Sequence, residues 1–221
     1  MHGDTKTQKQ YFENAYKRGS DIWSHIPYHS PAIKMIAELA PNSLILDIGS
    51  GRGSWGIKLL EQGFRVLGID YIESVTHQSN TEVDEQGYKN RARFVTGSAL
   101  DIPFVEGSFD CISDIGTFQH LAKTDWEQYL NEIKRTLKPG GCYLNVSLCK
   151  ETTTFMGWKP SSSQNRDFEK FGLNYHFFDE EEIEEVFGDD FTMLKHQSKK
   201  YSSQSDPHDD VVLLFSFMQK K

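Results

Sequence analysis

The sequence predicts a doubly wound α/β fold, a largely parallel sheet with helices on both faces and an antiparallel hairpin at one edge. Three observations predict it. Strand-like and helix-like segments alternate as far as residue 149. The run SLILDI is apolar almost throughout, as strands covered on both faces are. The last two strand-like runs, FTMLKHQS and VVLLFSFM, are joined by the turn-rich SSQSDPHDD, which reads as a hairpin.

Each element has its own signal. Thr7 to Arg18 places Tyr11, Phe12, Ala15 and Tyr16 on one helical face, and Gly19 stops it. A second helix is predicted with Ser30 as cap, Pro31 in its first turn and Ile33, Ile36, Ala37 and Ala40 facing inward. SLILDI, a glycine loop and a helix through Ile57, Leu59 and Leu60 to Gly63 follow. RVLGID, a polar helix within Glu73 to Tyr88, RARFVTG and FDCISDIG continue the alternation. In the helix Thr124 to Leu137, Thr124 and Glu127 form a capping-box pattern ahead of the stripe Trp126, Tyr129, Leu130, Ile133 and Leu137. Lys138-Pro139-Gly140-Gly141 ends it and CYLNVSLC is a fifth strand. Glu151 to Tyr175 has no period and reads as a long loop or lid. Asp179 and Glu182 then cap a helix with Ile183, Val186 and Phe187 inward.

The length, 221 residues, suits one domain, 1–221, with N-terminal helices over 1–40 as a cofactor lid and an insertion over 150–178 as an acceptor lid. With 37% hydrophobic and 25% charged residues, neither a disordered nor a fibrous chain is indicated. A formal charge of -8 without a basic patch argues against nucleic acid as partner. No apolar run reaches the ~20 residues that span a bilayer, and MHGDTKTQKQ lacks the apolar core of a secretory signal, so the expectation is a cytoplasmic protein with no membrane partner. Cys111, Cys142 and Cys149 lack metal-ligand spacing and read as buried free thiols.

LILDIGSGRGSWG, Leu44 to Gly56, parses in two ways. Gly51, Gly53 and Gly56, with Asp70 some twenty positions on, match the dinucleotide fingerprint G-x-G-x-x-G. Asp47, Gly49, Gly51 and Gly53 spell D-x-G-x-G-x-G instead. Either loop brings a ligand close to the backbone at a helix N-terminus. Asp47 disfavours a pyrophosphate beside it and suits an ammonium or sulfonium group.

LDIGSGRG resembles the first motif of the class I S-adenosylmethionine-dependent methyltransferases of the small-molecule type, and VLGID resembles the second. GSALDIPFVEGSFD, DIGTFQHL and RTLKPGG resemble three further segments of that family in the expected order, from about Ser43 to Val146. The resemblance implies a Rossmann-like sheet of seven strands, the last antiparallel, and S-adenosylmethionine as cofactor. It implies that Gly49, Ser50, Gly51 and Gly53 pack against the methionine part and ribose, with Asp47 anchoring the loop or the amino group. Asp70 would accept the ribose hydroxyls with Tyr71 beside the adenine, and Ser98, Ala99 and Leu100 would line the adenine edge. Ser98 stands where the family usually has Asp. Asp114, with Ile115, would lie near the methionine amino group.

A bound sulfonium leaves the protein mainly to position the acceptor and exclude water. His120 is the candidate base, after the fourth strand; Gln119, Asp114, Tyr175 and His176 are further mouth candidates. Trp23, Pro27 and Tyr28 are read either as an aromatic lid or as core. The same two readings hold for Phe155, Trp158, Phe168, Phe171, Tyr175, Phe177 and Phe178 around an apolar acceptor. The expected partner is a small-molecule methyl acceptor (O, N, S or another nucleophile), the protein being a monomer or homodimer. Two alternatives stand beside this, an NAD(P)-dependent oxidoreductase and a non-catalytic protein that binds S-adenosylmethionine.

Overall fold

The computed structural model describes residues 5–25, 27–154, 167–202 and 210–221. Seven strands form one sheet in the order β3 (Ala92–Thr96), β2 (Arg65–Asp70), β1 (Leu44–Ile48), β4 (Phe109–Ile115), β5 (Leu137–Leu148), β9 (Asp210–Lys220), β8 (Phe191–Ser202). β1 pairs in parallel with β2 on one side and β4 on the other, so the strand order reverses there. β9 runs antiparallel to both β5 and β8, as the hairpin pattern predicts. Such a switch point leaves a crevice beyond the carboxyl ends of the strands.

Alternating strand residues feed two cores. Ile45, Cys111, Leu144 and Phe215 face α2 (His29–Met35) and α3 (Ser54–Glu61); Leu46, Ile112, Tyr143 and Leu214 face α5 (Trp126–Thr136) and α6 (Glu180–Phe187). Each fully buried side chain of this kind contributes roughly 1.5–3 kcal/mol. α4 (Glu73–Glu85) is the polar helix between β2 and β3. The three cysteines are buried and free, and Cys111 and Cys142 are register partners across β4 and β5.

Four local expectations change. α2 ends at Met35, so Pro31, Ala32 and Met35 are its buried residues and Ile36 is buried just beyond it, whereas Ala37 and Ala40 are exposed. The capping box at α5 is absent: Thr124 lies in a 3-10 turn, Lys123–Asp125, and the cap position, Asp125, is already helical with no capping bond from its side chain. β5 starts at Leu137, directly after α5. The long loop contains a hairpin, β6 (Asp167–Lys170) and β7 (Leu173–His176). At α6, in contrast, the side chain of Asp179 accepts from the Glu182 N–H at 2.9 Å as predicted.

α1 (Thr5–Arg18) lies across the crevice. Tyr11 stacks on Phe171 at 6.3 Å, between β6 and β7, and Phe12 meets Trp23 edge-on at 5.2 Å. The helix and the β6–β7 hairpin thus close over the strand ends from opposite sides of the sequence.

Candidate functional site

A cavity of about 200 Å³ lies at the ends of β1, β2 and β4, under α1. Its first wall is the loop after β1. Gly49 has φ +67, and a Cβ there would stand 1.9 Å from Oγ1 of Thr117, so no side chain fits. At Gly51, φ +49, a Cβ would come within 2.6 Å of the Tyr16 hydroxyl. Side-chain bulk is therefore excluded where the backbone meets both α1 and the turn after β4.

Two carboxylates end the strands beneath that loop. Asp70 closes β2, and its oxygens accept the Gly51 and Ile72 N–H groups, each at 2.9 Å. Burial pushes its pKa up to about 6 against those bonds, and the residue forms part of the cavity wall. Asp47 is 2% exposed and lies under the loop rather than on the wall. Its Oδ2 is buried with no hydrogen-bond partner among the described residues. Burial, and then the neighbouring Asp114 and Asp70, raise its pKa well above the carboxylate range.

The opposite wall is the turn after β4. Phe118 stacks on Tyr129 and Phe178, both at 5.2 Å, and so anchors the turn in the second core. Asp114 accepts from the Thr117 N–H at 2.6 Å, the Phe118 N–H at 2.9 Å and the Tyr129 hydroxyl. Its bonds thus tie the turn together rather than reach the cavity, a difference from the amino-group contact that the resemblance implies. Burial pushes its pKa up to about 6. This fixed turn presents Gln119 and His120 to the cavity. The His120 ring meets Phe12 at 5.5 Å and Tyr175 at 5.0 Å, both edge-on, and burial pushes its pKa down to about 4.

Of the residues singled out in the sequence, Gly49, Asp70, Tyr71, Ser98, Ala99, Leu100, Ile115 and His120 share the wall. Asp47, Ser50, Gly51, Gly53 and Asp114 stand behind it. The hydroxyl of Ser98 already accepts the Leu100 N–H at 3.1 Å. Trp23 lines the cavity, but Tyr28 packs instead against His29 and Trp55. Phe168, Tyr175, Phe177 and Phe178 are core residues, not an acceptor cage, and Phe171 is exposed; Phe155 and Trp158 lie outside the described residues. His176 sits off the cavity between Asp167 at 2.5 Å and Glu182 at 2.9 Å.

Gln8, Phe12 and Tyr16 of α1, Asn174 of β7, and Asp125 also line the wall, and none was singled out for it. The aromatic face of α1 was the available signal. Arg52 was missed too. From the glycine loop it makes a two-pronged ion pair with Asp21, at 2.9 and 3.1 Å, and donates to the Tyr16 carbonyl at 2.8 Å, strapping the end of α1 to the loop. Among the described residues no Lys or Arg lines the cavity, and no cluster of His, Cys, Asp and Glu could hold a metal.

Residues 45–141 match the model of a methyltransferase domain. The demethylmenaquinone methyltransferase of Lactococcus lactis subsp. lactis is 35% identical over 125 residues, 55% of this chain and 46% of that protein. That of Thermus thermophilus is 32% identical over 112 residues, 50% and 49%. The matched stretch thus spans about half the length of these relatives. Among solved structures, a Burkholderia thailandensis 1,6-didemethyltoxoflavin-N1-methyltransferase with bound 1,6-didemethyltoxoflavin and S-adenosylhomocysteine superposes with a TM-score of 0.79 at 24% identity, covering 98% of this chain and 88% of that one. The [4+2]-cyclase SpnF shares the fold at a TM-score of 0.66 and 16% identity, covering 87% and 81%.

Proposed function

We propose that this chain, whose residues 45–141 match a methyltransferase domain, is a class I S-adenosylmethionine-dependent methyltransferase that transfers the cofactor's methyl group to a small, uncharged, planar acceptor held under α1. The observation that carries the reading is the charge of the site. Asp70 and Asp125 are on the wall, Asp47 lies with a bare oxygen under the glycine loop, and the cation that partly offsets Asp70, Lys9, lies off the wall with its Nζ 5.9 Å from the Tyr71 ring. A pyrophosphate there would meet like charge, whereas an ammonium and a sulfonium would meet opposite charge.

The residues present fit the cofactor. Each oxygen of Asp70 keeps a lone pair beyond its backbone bond, enough for the two ribose hydroxyls. Tyr71, Ala99 and Leu100 would border the adenine, and Oδ2 of Asp47 would meet its missing donor in the loop or the ammonium. When bound, the cofactor supplies a methyl group on positive sulfur, an electrophile that needs no activation by the protein. Phe12, Tyr16 and Trp23 exclude water, and Nε2 of His120 accepts the proton that the acceptor's nucleophilic atom gives up.

The named acceptors of the similar proteins, demethylmenaquinone and 1,6-didemethyltoxoflavin, support a planar ring. Among the described residues an anionic acceptor lacks a counter-ion on this wall. The buried thiols suit a reducing compartment such as the cytoplasm, and no helix among the described residues is long and apolar enough to cross a membrane. Calorimetry with S-adenosylhomocysteine and with NADH tests the cofactor; heat with the second alone rejects the reading. Mass spectrometry after incubation with labelled S-adenosylmethionine and a panel including both ring compounds and a cell extract tests the transfer. Binding without any labelled product makes the chain a cofactor-binding protein only.

A further inference from the structure

We propose that Gln119 is the positioning residue of this site: anchored on the backbone of β5, its amide holds His120 as the Nδ1–H tautomer and covers the bare Nε2 until an acceptor carrying N–H or O–H takes that place. The inference rests on the methyl-transfer reading and narrows its substrate to a nucleophile that still bears its proton.

The directions of the bonds follow from groups that can play only one part. The Leu148 N–H donates at 2.6 Å to Gln119, so the oxygen of that amide is the atom facing Leu148. The NH2 of the same amide then lies 3.3 Å from Nε2 of His120. On the other side of the ring, Nδ1 is 2.7 Å from the carbonyl oxygen of Asn174, which only accepts. Nδ1 therefore carries the proton and Nε2 is a lone pair. An imidazolium would set N–H against N–H and leave a buried donor unmatched. The ring is held in this pose by Phe12 and Tyr175, and the His120 carbonyl is held by Nε2 of Gln8 at 3.2 Å.

The two ends of the Gln119 amide differ. Its oxygen is tightly anchored, while its N–H contact with His120 is long for a hydrogen bond and easily exchanged. An acceptor's N–H or O–H can therefore displace it, the proton passing to Nε2 as the acceptor's electron pair takes the methyl group. Burial also keeps Nε2 bare well below neutrality, since the ring pKa is about 4. The titratable groups around the ring are Tyr175, edge-on to it with Tyr11 beyond, and Asp125 on the same wall; Tyr16, Tyr71 and Asp70 are across the cavity with Lys9 over the Tyr71 ring, and Asp114 caps the turn behind.

A glutamine that merely satisfies Leu148 would tolerate Gln119→Glu, which keeps an oxygen on Leu148 but turns an acceptor toward Nε2. Nitrogen-15 spectra of histidine-labelled, cofactor-free protein at pH 7, with His120 assigned from His120→Phe, give the decisive readout. The expectation is a pyrrole-type Nδ1 and a pyridine-type Nε2 in the wild type, and pyrrole-type shifts at both nitrogens in Gln119→Glu. In that variant kcat at pH 7 falls at least about 100-fold and recovers as pH rises, while S-adenosylhomocysteine affinity stays within about threefold. An Nε2-protonated ring in the wild type overturns the proposal without any variant. So does a neutral ring, or an unchanged kcat, in Gln119→Glu. Failure of the wild type to bind S-adenosylhomocysteine would instead remove the methyl-transfer reading, and calorimetry reports that separately.

Discussion

The two halves of the cavity are built by different means. The half beneath the glycine loop is made of strand ends: Asp70 is held by backbone N–H groups of residues 51 and 72, within one parallel pair. The half under α1 is assembled by side chains from distant parts of the chain, Gln8 reaching His120 across 112 positions and His120 reaching Asn174 across 54. The first half is as rigid as the sheet. The second exists only while α1 and the β6–β7 hairpin stay packed, which is where movement for entry and release belongs.

The largest effect that sharpens this contrast is expected from Asp70→Asn. Losing the ionised acceptor of the ribose pair costs about 3 kcal/mol, roughly 100-fold in S-adenosylhomocysteine affinity by calorimetry, with the His120 spectrum unchanged. A comparable loss at Phe12→Ala would erase the distinction. Next, Gly49→Ala forces a side chain into Thr117 at a positive φ, and a loss of about 2 kcal/mol, read as a lower Tm, is expected. Pairing it with Thr117→Gly should return part of that, because the clash and the backbone strain are separate contributions.

The third test is pH. Asp70 must be ionised to accept hydroxyl protons, and its folded pKa is about 6, so affinity should fall about tenfold between pH 7 and 5. Stability moves the other way for this group. Its folded value exceeds the unfolded one, so its contribution is fully present below the ordinary carboxylate pKa and is lost as pH rises through about 6. His120 opposes it: with a folded pKa of about 4, stability is lost as pH falls from the ordinary histidine value toward 4. The smallest effect is expected at Arg52→Leu, which cuts the strap between the glycine loop and the end of α1. A change of about 1 kcal/mol should appear as faster hydrogen exchange in α1 and a few-fold weaker cofactor binding, with exchange in β1 and β2 unaltered.

The same division explains what the sequence disclosed. β1, β2 and β4 were legible because strands covered on both faces are apolar runs, and the acids that end the first two stand out against them. Asp114 was legible only in part: its position at the end of β4 is visible, but that its bonds go to the Thr117 and Phe118 N–H groups and to Tyr129 depends on a helix that comes later. Thr124 and Glu127 matched a cap by spacing, yet the chain enters α5 through a 3-10 turn that absorbs Thr124. The contacts of Asn174 and Gln8 could not be read at all, because neither has a local pattern. They are fixed by which elements the sheet brings to one end.

Cys111 has 0% exposure at the middle of the sheet, opposite Cys142. Its sulfur is thus a built-in clock for the opening of the centre: an alkylating reagent reaches it only in molecules whose helical cover, α2 and α3, has come away from the sheet. Followed with and without S-adenosylhomocysteine, that rate would report how firmly an occupied crevice clamps that cover to the strands beneath it.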